Sequence, residues 1–151
     1  VPVVNCETWT YDDMGFAPND TGFNSDPGDT LAIVKDHIIT KGLPKKIKVY
    51  DTAISLMTAN NLGGDFTILA VRDDDKTRVA ISVYEAGAKT VTGKTQTIHV
   101  NIFPHSTAWG NVTADGWKLI DNSILYALGR SLSVSPSGKL AIKWASLKND
   151  K

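Results

Sequence analysis

Cysteine occurs once in this 151-residue chain, as Cys6, which excludes an internal disulfide and any zinc site built from several thiolates. Net charge is lacking too. Sixteen basic residues balance sixteen acidic ones, so no overall field draws the chain to nucleic acid or to an anionic membrane surface. No apolar run approaches the roughly 20 residues that a bilayer-spanning helix requires, because charges interrupt Leu, Ile and Val throughout. The composition reads as that of a soluble protein and leaves the compartment open. The three histidines, His37, His99 and His105, share no short spacing of the kind that makes a metal motif. The DDDKT run at Asp73–Thr77 lacks the regularly placed oxygens of a calcium loop. Neither a metal nor a cofactor is expected, and no internal repeat is present.

What is present is concentrated between Ile98 and Gly129, where IHVNIFPHSTAWGNVTADGWKLIDNSILYALG spells a strand, a polar loop and a capped helix. Ile98, Val100, Ile102 and Phe103 suit a covered strand, and Pro104 ends it because proline cannot donate to a ladder. Thr113 stands at an N-cap position, Asp115 lies where the helix dipole favours negative charge, and Gly129 followed by Arg130 closes the far end. Within the helix, Trp117, Ile120, Ile124, Ala127 and Leu128 recur at steps of three and four, predicting a buried stripe with Trp117 in the core.

Elsewhere, Val1–Asn5 reads as a strand, followed by a long loop rich in Asp, Asn, Gly and aromatics that carries at most a turn of helix around Tyr11–Gly15. Loops of that length in a compact domain are usually functional or mobile. Leu31–Val34 and Ile47–Tyr50 are short strand candidates, and Phe66–Val71 with Arg78–Glu85 reads as a hairpin. Parallel strands need long crossovers, so a strand at the first residue predicts that earlier strands of its unit are missing and that the chain is part of a longer one. Residues 130–151 change composition and read as a linker with a terminal strand, or as the start of an appended module.

The segments VPVVNCETWTYDDMG, DHIITKGL with IKVY after it, VAISVYEAGA, and above all NIFPHSTAWGNVTADGWKLIDNSILYALG resemble the class I glutamine amidotransferase-like superfamily. Within it the likeness is to the ThuA-like and related domains of bacterial proteins, and it covers Val1–Gly129. It implies an α/β fold: a flavodoxin-like, three-layer, doubly wound and mainly parallel sheet with one antiparallel hairpin, of which these pieces form the second half. It also implies a cysteine nucleophile at a sharp elbow after the first strand and a His-Pro-Glu sequence after a later one. Here PVVNCETW puts Cys6 near the elbow without a flanking glycine, and FPHST gives His105 without a following glutamate.

Ligands of open α/β sheets bind where the strands end, which makes Cys6 and His105 the candidate catalytic pair. Glu7, Trp9, Asp12, Asp13 and Ser106 are the candidate binding residues. A thiol becomes a nucleophile when an imidazole favours its thiolate, whereas a lone cysteine is commonly a small buried hydrophobe. Three functions are expected from this set. The first is a degenerate, non-catalytic amidotransferase-like domain that binds a small molecule or carbohydrate or serves as an accessory module. The second is a cysteine-dependent hydrolase or amidotransferase-type enzyme using Cys6 as nucleophile and His105 as base, with Glu7 as an auxiliary carboxylate. The third is a fragment that completes its sheet by oligomerisation or with a missing N-terminal segment, since an unpaired edge invites pairing.

Overall fold

In the computed structural model, which describes residues 1–95 and 97–129, eight strands and one α-helix are formed. The strands are β1 (Val3–Asn5), β2 (Phe23–Gly28), β3 (Thr30–Ile33), β4 (Lys46–Lys48), β5 (Ile54–Ala59), β6 (Thr67–Arg72), β7 (Val79–Tyr84) and β8 (His99–Asn101); the helix is α1 (Ala114–Ala127). The expected terminal segment 130–151 lies outside the described residues.

This is a mainly-β fold, and the doubly wound, flavodoxin-like α/β expectation is corrected by it. The physical reason lies in the connections. A parallel pair needs a crossover of a dozen or more residues, usually a helix. Here β2 runs into β3 through Asp29 alone, β6 turns into β7 over Asp73–Arg78, and the helix comes after the last strand. Neighbouring strands are therefore antiparallel, with one exception among the described residues: β1 lies parallel to β8. The pairings run β1-β8-β7-β6-β3-β4, while β5 joins β2 to β7. Taking β2 and β3 as one bent strand, β5, β7, β6 and β2–β3 form a closed ring of pairings.

Alternation along the strands sends side chains to two cores. Val83, Val100, Leu69 and Ile81 join the larger one, together with Leu119 and Ile120 of α1. Tyr84 joins a second cluster with Tyr11, Phe16 and Phe23. The long loop is thus packed on the sheet instead of free, and its last part, Phe23–Gly28, is a strand.

The helix starts as expected: Thr113 Oγ1 accepts from Gly116 N at 3.1 Å, and Asp115 occupies the first turn. Its buried face, however, runs Gly116, Leu119, Ile120, Ser123 and Ala127, whereas Trp117 is 42% exposed with Ile124 and Leu128 exposed beside it. The expected stripe is rotated because small residues allow a closer approach than the bulky ones. A methyl on Gly116 would come within 2.6 Å of the Val49 carbonyl. Trp117 packs instead on Trp109, with ring centroids 5.8 Å apart.

Candidate functional site

The parallel pair holds Val3 opposite His99, Val4 opposite Val100 and Asn5 opposite Asn101. Ile102 N extends the ladder by donating to Asn5 O at 2.8 Å. The segments leaving the two strands, Cys6–Trp9 from β1 and Phe103–Ser106 from β8, are therefore delivered to one edge of the sheet, as the sequence suggests. Tyr50 stands between the two segments. Its hydroxyl donates to Phe103 O at 3.4 Å, and burial pushes the phenol up, with the neighbouring Cys6 adding to the effect.

Sharing an edge does not make Cys6 and His105 a nucleophile and its base. Burial raises the Cys6 thiol pKa, and the Glu7 carboxylate raises it further, so the thiol form is favoured. His105 Nδ1 accepts from Thr107 N at 3.2 Å and faces the Thr107 hydroxyl at 2.8 Å. Since a backbone N–H only donates, Nδ1 is the acceptor in that contact, and it faces Thr107 rather than the thiol. No hydrogen bond joins Cys6 to His105 among the described residues.

The first segment is organised by Asn5. Its Oδ1 accepts from Glu7 N at 2.9 Å, and its Nδ2 donates to Thr10 Oγ1 at 3.0 Å and to Met14 Sδ at 3.4 Å. Thr10 Oγ1 in turn donates to Glu7 O at 2.8 Å. These bonds close the 3-10 turn Thr8–Thr10, which packs on β2 and β5. The turn holds Trp9 outward at 54% exposure, its ring edge-on to Phe23 at 6.3 Å between centroids. Asp12 and Asp13 come in the next turn, half-buried and exposed respectively, and neither forms an ion pair among the described residues. Ser106 is exposed on the second segment.

Several residues of this region are not singled out by the sequence: Asn5, Thr8, Tyr50, Asn101 and the strand residue His99. The available signal is polarity at alternate strand positions, with Asn5 on β1 and His99 and Asn101 on β8 facing the same side. Glu7 Oε1, Thr8 Oγ1, Thr58 Oγ1 on β5, Asn61 Oδ1, His99 Nδ1 and Asn101 Oδ1 are buried without hydrogen-bond partners. Burial holds His99 below the usual histidine range, so its ring is neutral. It lines a cleft of about 350 Å³ with Met14, Phe16, Thr92, Lys94 and Thr97. A second hollow of about 280 Å³ lies along Gly28, Thr30 and Arg72, where Arg72 and Asp74 pair. Among the described residues no group of three or more His, Cys, Asp or Glu could hold a metal ion.

Comparison with known proteins finds no matching family model, no matching curated protein and no matching solved structure.

Proposed function

We propose that this chain is a non-catalytic binding module that holds a polyhydroxylated ligand, of the carbohydrate class, against Trp9. The observation that carries this reading is the placement of Trp9, a large amphipathic ring held outward on a turn fixed by Asn5, Thr10 and Phe23. An indole offers an apolar face and an N–H at small conformational cost. Asp12 and Asp13 lie on the same stretch of chain and bring carboxylates suited to accepting from hydroxyls. Ser106 leaves the same sheet edge from the neighbouring strand.

The protonated state favoured at Cys6, and the engagement of His105 Nδ1 with Thr107 instead of the thiol, support binding over cysteine-dependent hydrolysis. Titration calorimetry against a panel of soluble oligosaccharides tests the reading. A binder is expected whose affinity falls about tenfold or more in Trp9→Ala, as for a buried aromatic anchor, and is unchanged in Cys6→Ser. Absence of any binder at millimolar concentration, equal affinity in Trp9→Ala, or Cys6-dependent hydrolysis of an amide or ester panel would overturn it.

A further inference from the structure

β1 stands at one end of the pairing path and β4 at the other, and among the described residues β1 pairs with β8 alone. Its bonds to β8 fall on Val3, whose N–H donates to Ile98 O at 3.1 Å, and on Asn5, whose carbonyl accepts from Ile102 N at 2.8 Å. The backbone groups of Val4, between them, point the other way, to an edge that can take a further strand. The Val4 side chain is only half-buried against the larger core.

α1 carries the chain back to the foot of that edge. Its cap lies just past β4, where Thr113 N donates to Val49 O at 3.0 Å. In its last turn the Tyr126 hydroxyl bonds the carboxylate of Glu85, which follows Tyr84, the residue opposite His99 at the start of β8. Since β1 is parallel to β8, the helix ends level with the start of both strands. One flank of the helix is taken by the β3–β4 connection: Lys118 donates to Gly42 O at 2.6 Å, Asn122 to Ile39 O at 2.8 Å, and the Tyr126 ring packs edge-on to His37. At about 100° per residue, Trp117, Ile124 and Leu128 fall together on the opposite flank, toward β1, and all three are exposed. A row of large apolar side chains beside an open strand edge marks a surface that something covers.

The sequence supplies the cover. Residues 130–151 follow Gly129 directly, and within them Leu140, Ile142 and Trp144 alternate with Ala141 and Lys143, the period of a strand with one apolar face. The stretch 130–138 before them reaches up to about 30 Å when extended, well beyond the roughly 10 Å between packed layers.

We propose that residues 139–145 add to the open edge of β1 as a strand parallel to it, with Leu140, Ile142 and Trp144 covering Val4 and the Trp117–Leu128 flank of α1. β8, α1 and the added strand then form a crossover unit of the kind that parallel neighbours require. A second copy could offer the same strand, but a short tether holds the chain's own segment at an effective concentration in the millimolar range. The proposal does not depend on the ligand assigned to Trp9.

Cysteine trapping in the full chain tests it. In a Cys6→Ser background, Ile124→Cys is paired in turn with Leu140→Cys, Ala141→Cys, Ile142→Cys, Lys143→Cys and Trp144→Cys under mild oxidation. Disulfides within one chain are expected at 140, 142 or 144 and not at 141 or 143. Amide exchange read by NMR is independent of the cysteines: Val4 N–H is expected to exchange about tenfold or more faster in Ile142→Pro, with the β6–β7 amides unchanged as evidence that the rest stays folded. Disulfides between chains only, trapping without alternation, or Val4 exchange unaltered in a folded Ile142→Pro would overturn the proposal, the first of these in favour of a second copy at the edge.

Discussion

Phe16 lies stacked on Tyr84, with ring centroids 4.5 Å apart, and the Tyr84 hydroxyl reaches the carbonyls of Phe16 at 3.2 Å and Gly63 at 2.9 Å. Through this pair the loop carrying the candidate site is fastened to β7, a central strand. Tyr11 adds edge contacts to both Phe16 and Phe23. The segment between β1 and β2 therefore presents its surface groups from a packed base, and the fixed position of Trp9 results from buried aromatics and not from the turn alone.

Cys6 is expected to be a slow thiol. Its pKa is raised by burial first and by the Glu7 carboxylate second, so less thiolate exists near neutral pH than for a free cysteine, and alkylation depends on the thiolate. Iodoacetamide labelling followed by mass spectrometry at pH 7–8 is expected to run several-fold slower than for a small free thiol. Glu7→Gln removes the second cause and is expected to speed it. Labelling faster than the free thiol would mean an activated cysteine and would reopen the hydrolase reading.

Arg72 is the anchor of the hairpin end. Its guanidinium donates to Pro27 O at 3.0 Å and to both Asp74 oxygens at 2.8 and 2.7 Å, tying β6 to the far side of β2. Arg72→Met leaves the Pro27 carbonyl without this donor and is expected to lower stability by about 1–3 kcal/mol. Asp74, bonded by Arg72, has its carboxyl held down at about 2. A group depressed in the folded state stabilises above its ordinary value and loses that contribution as pH falls. The acid limb of stability between about 4 and 2 is therefore expected to be shallower in Asp74→Asn, as measured by urea unfolding. Because Asp74 is largely exposed, the size of this part is small.

Parts of this arrangement are legible in the sequence, and the reasons differ by residue. The Thr113 cap, the Asp115 first turn and the β6–β7 hairpin are written locally, in side chains that bond to adjacent backbone and in a turn rich in aspartate. The parallel register of β1 and β8 is legible as two strands sharing an edge. β2 is hidden because FNSDPG carries a proline and few apolar groups, yet it pairs fully with β5 from Phe23 to Gly28. The doubly wound expectation fails because strand signals do not say which neighbour a strand takes, and short connections decide that in favour of antiparallel pairing. At the site, Trp9 is conspicuous in the sequence. The buried, unpartnered oxygens of Thr8 and Asn101 become visible only in the folded chain.

Two histidines give the fold a second pH dependence, in a milder range. Burial lowers both His37 and His99 from the ordinary 6.5. His37 Nδ1 also accepts from Ile39 N at 3.2 Å, a bond made to the neutral ring. The unfolded chain takes up protons below about 6.5 that the folded chain refuses, so stability is full above that value and falls as pH drops through the depressed folded values. Urea midpoints at pH 7.5, 6.5 and 5.5 are expected to decline in that order. The decline is expected to flatten in the double variant His37→Gln, His99→Gln, and an equal decline there would assign it to carboxylates.

Gly116 reverses the usual rule for glycine in a helix. Replacing an interior helical glycine by alanine ordinarily gains up to about 1 kcal/mol. Here the added methyl would meet the Val49 carbonyl at 2.6 Å and a Val112 methyl at 2.8 Å. The first of these is backbone that cannot swing aside, because Val49 O also accepts from Thr113 N at 3.0 Å at the cap of the same helix. The clash would push α1 off β4 and loosen Leu119 and Ile120 from the core, so Gly116→Ala is expected to destabilise by about 1–3 kcal/mol in spite of its better propensity. A control at Gly110, where an added methyl meets nothing within 4 Å, is expected to stay within about 0.5 kcal/mol of the parent. Thermal unfolding of the two variants side by side separates the close approach of helix and strand from the general effect of removing a glycine. An unchanged or raised midpoint in Gly116→Ala would mean that the helix does not sit this close to β4.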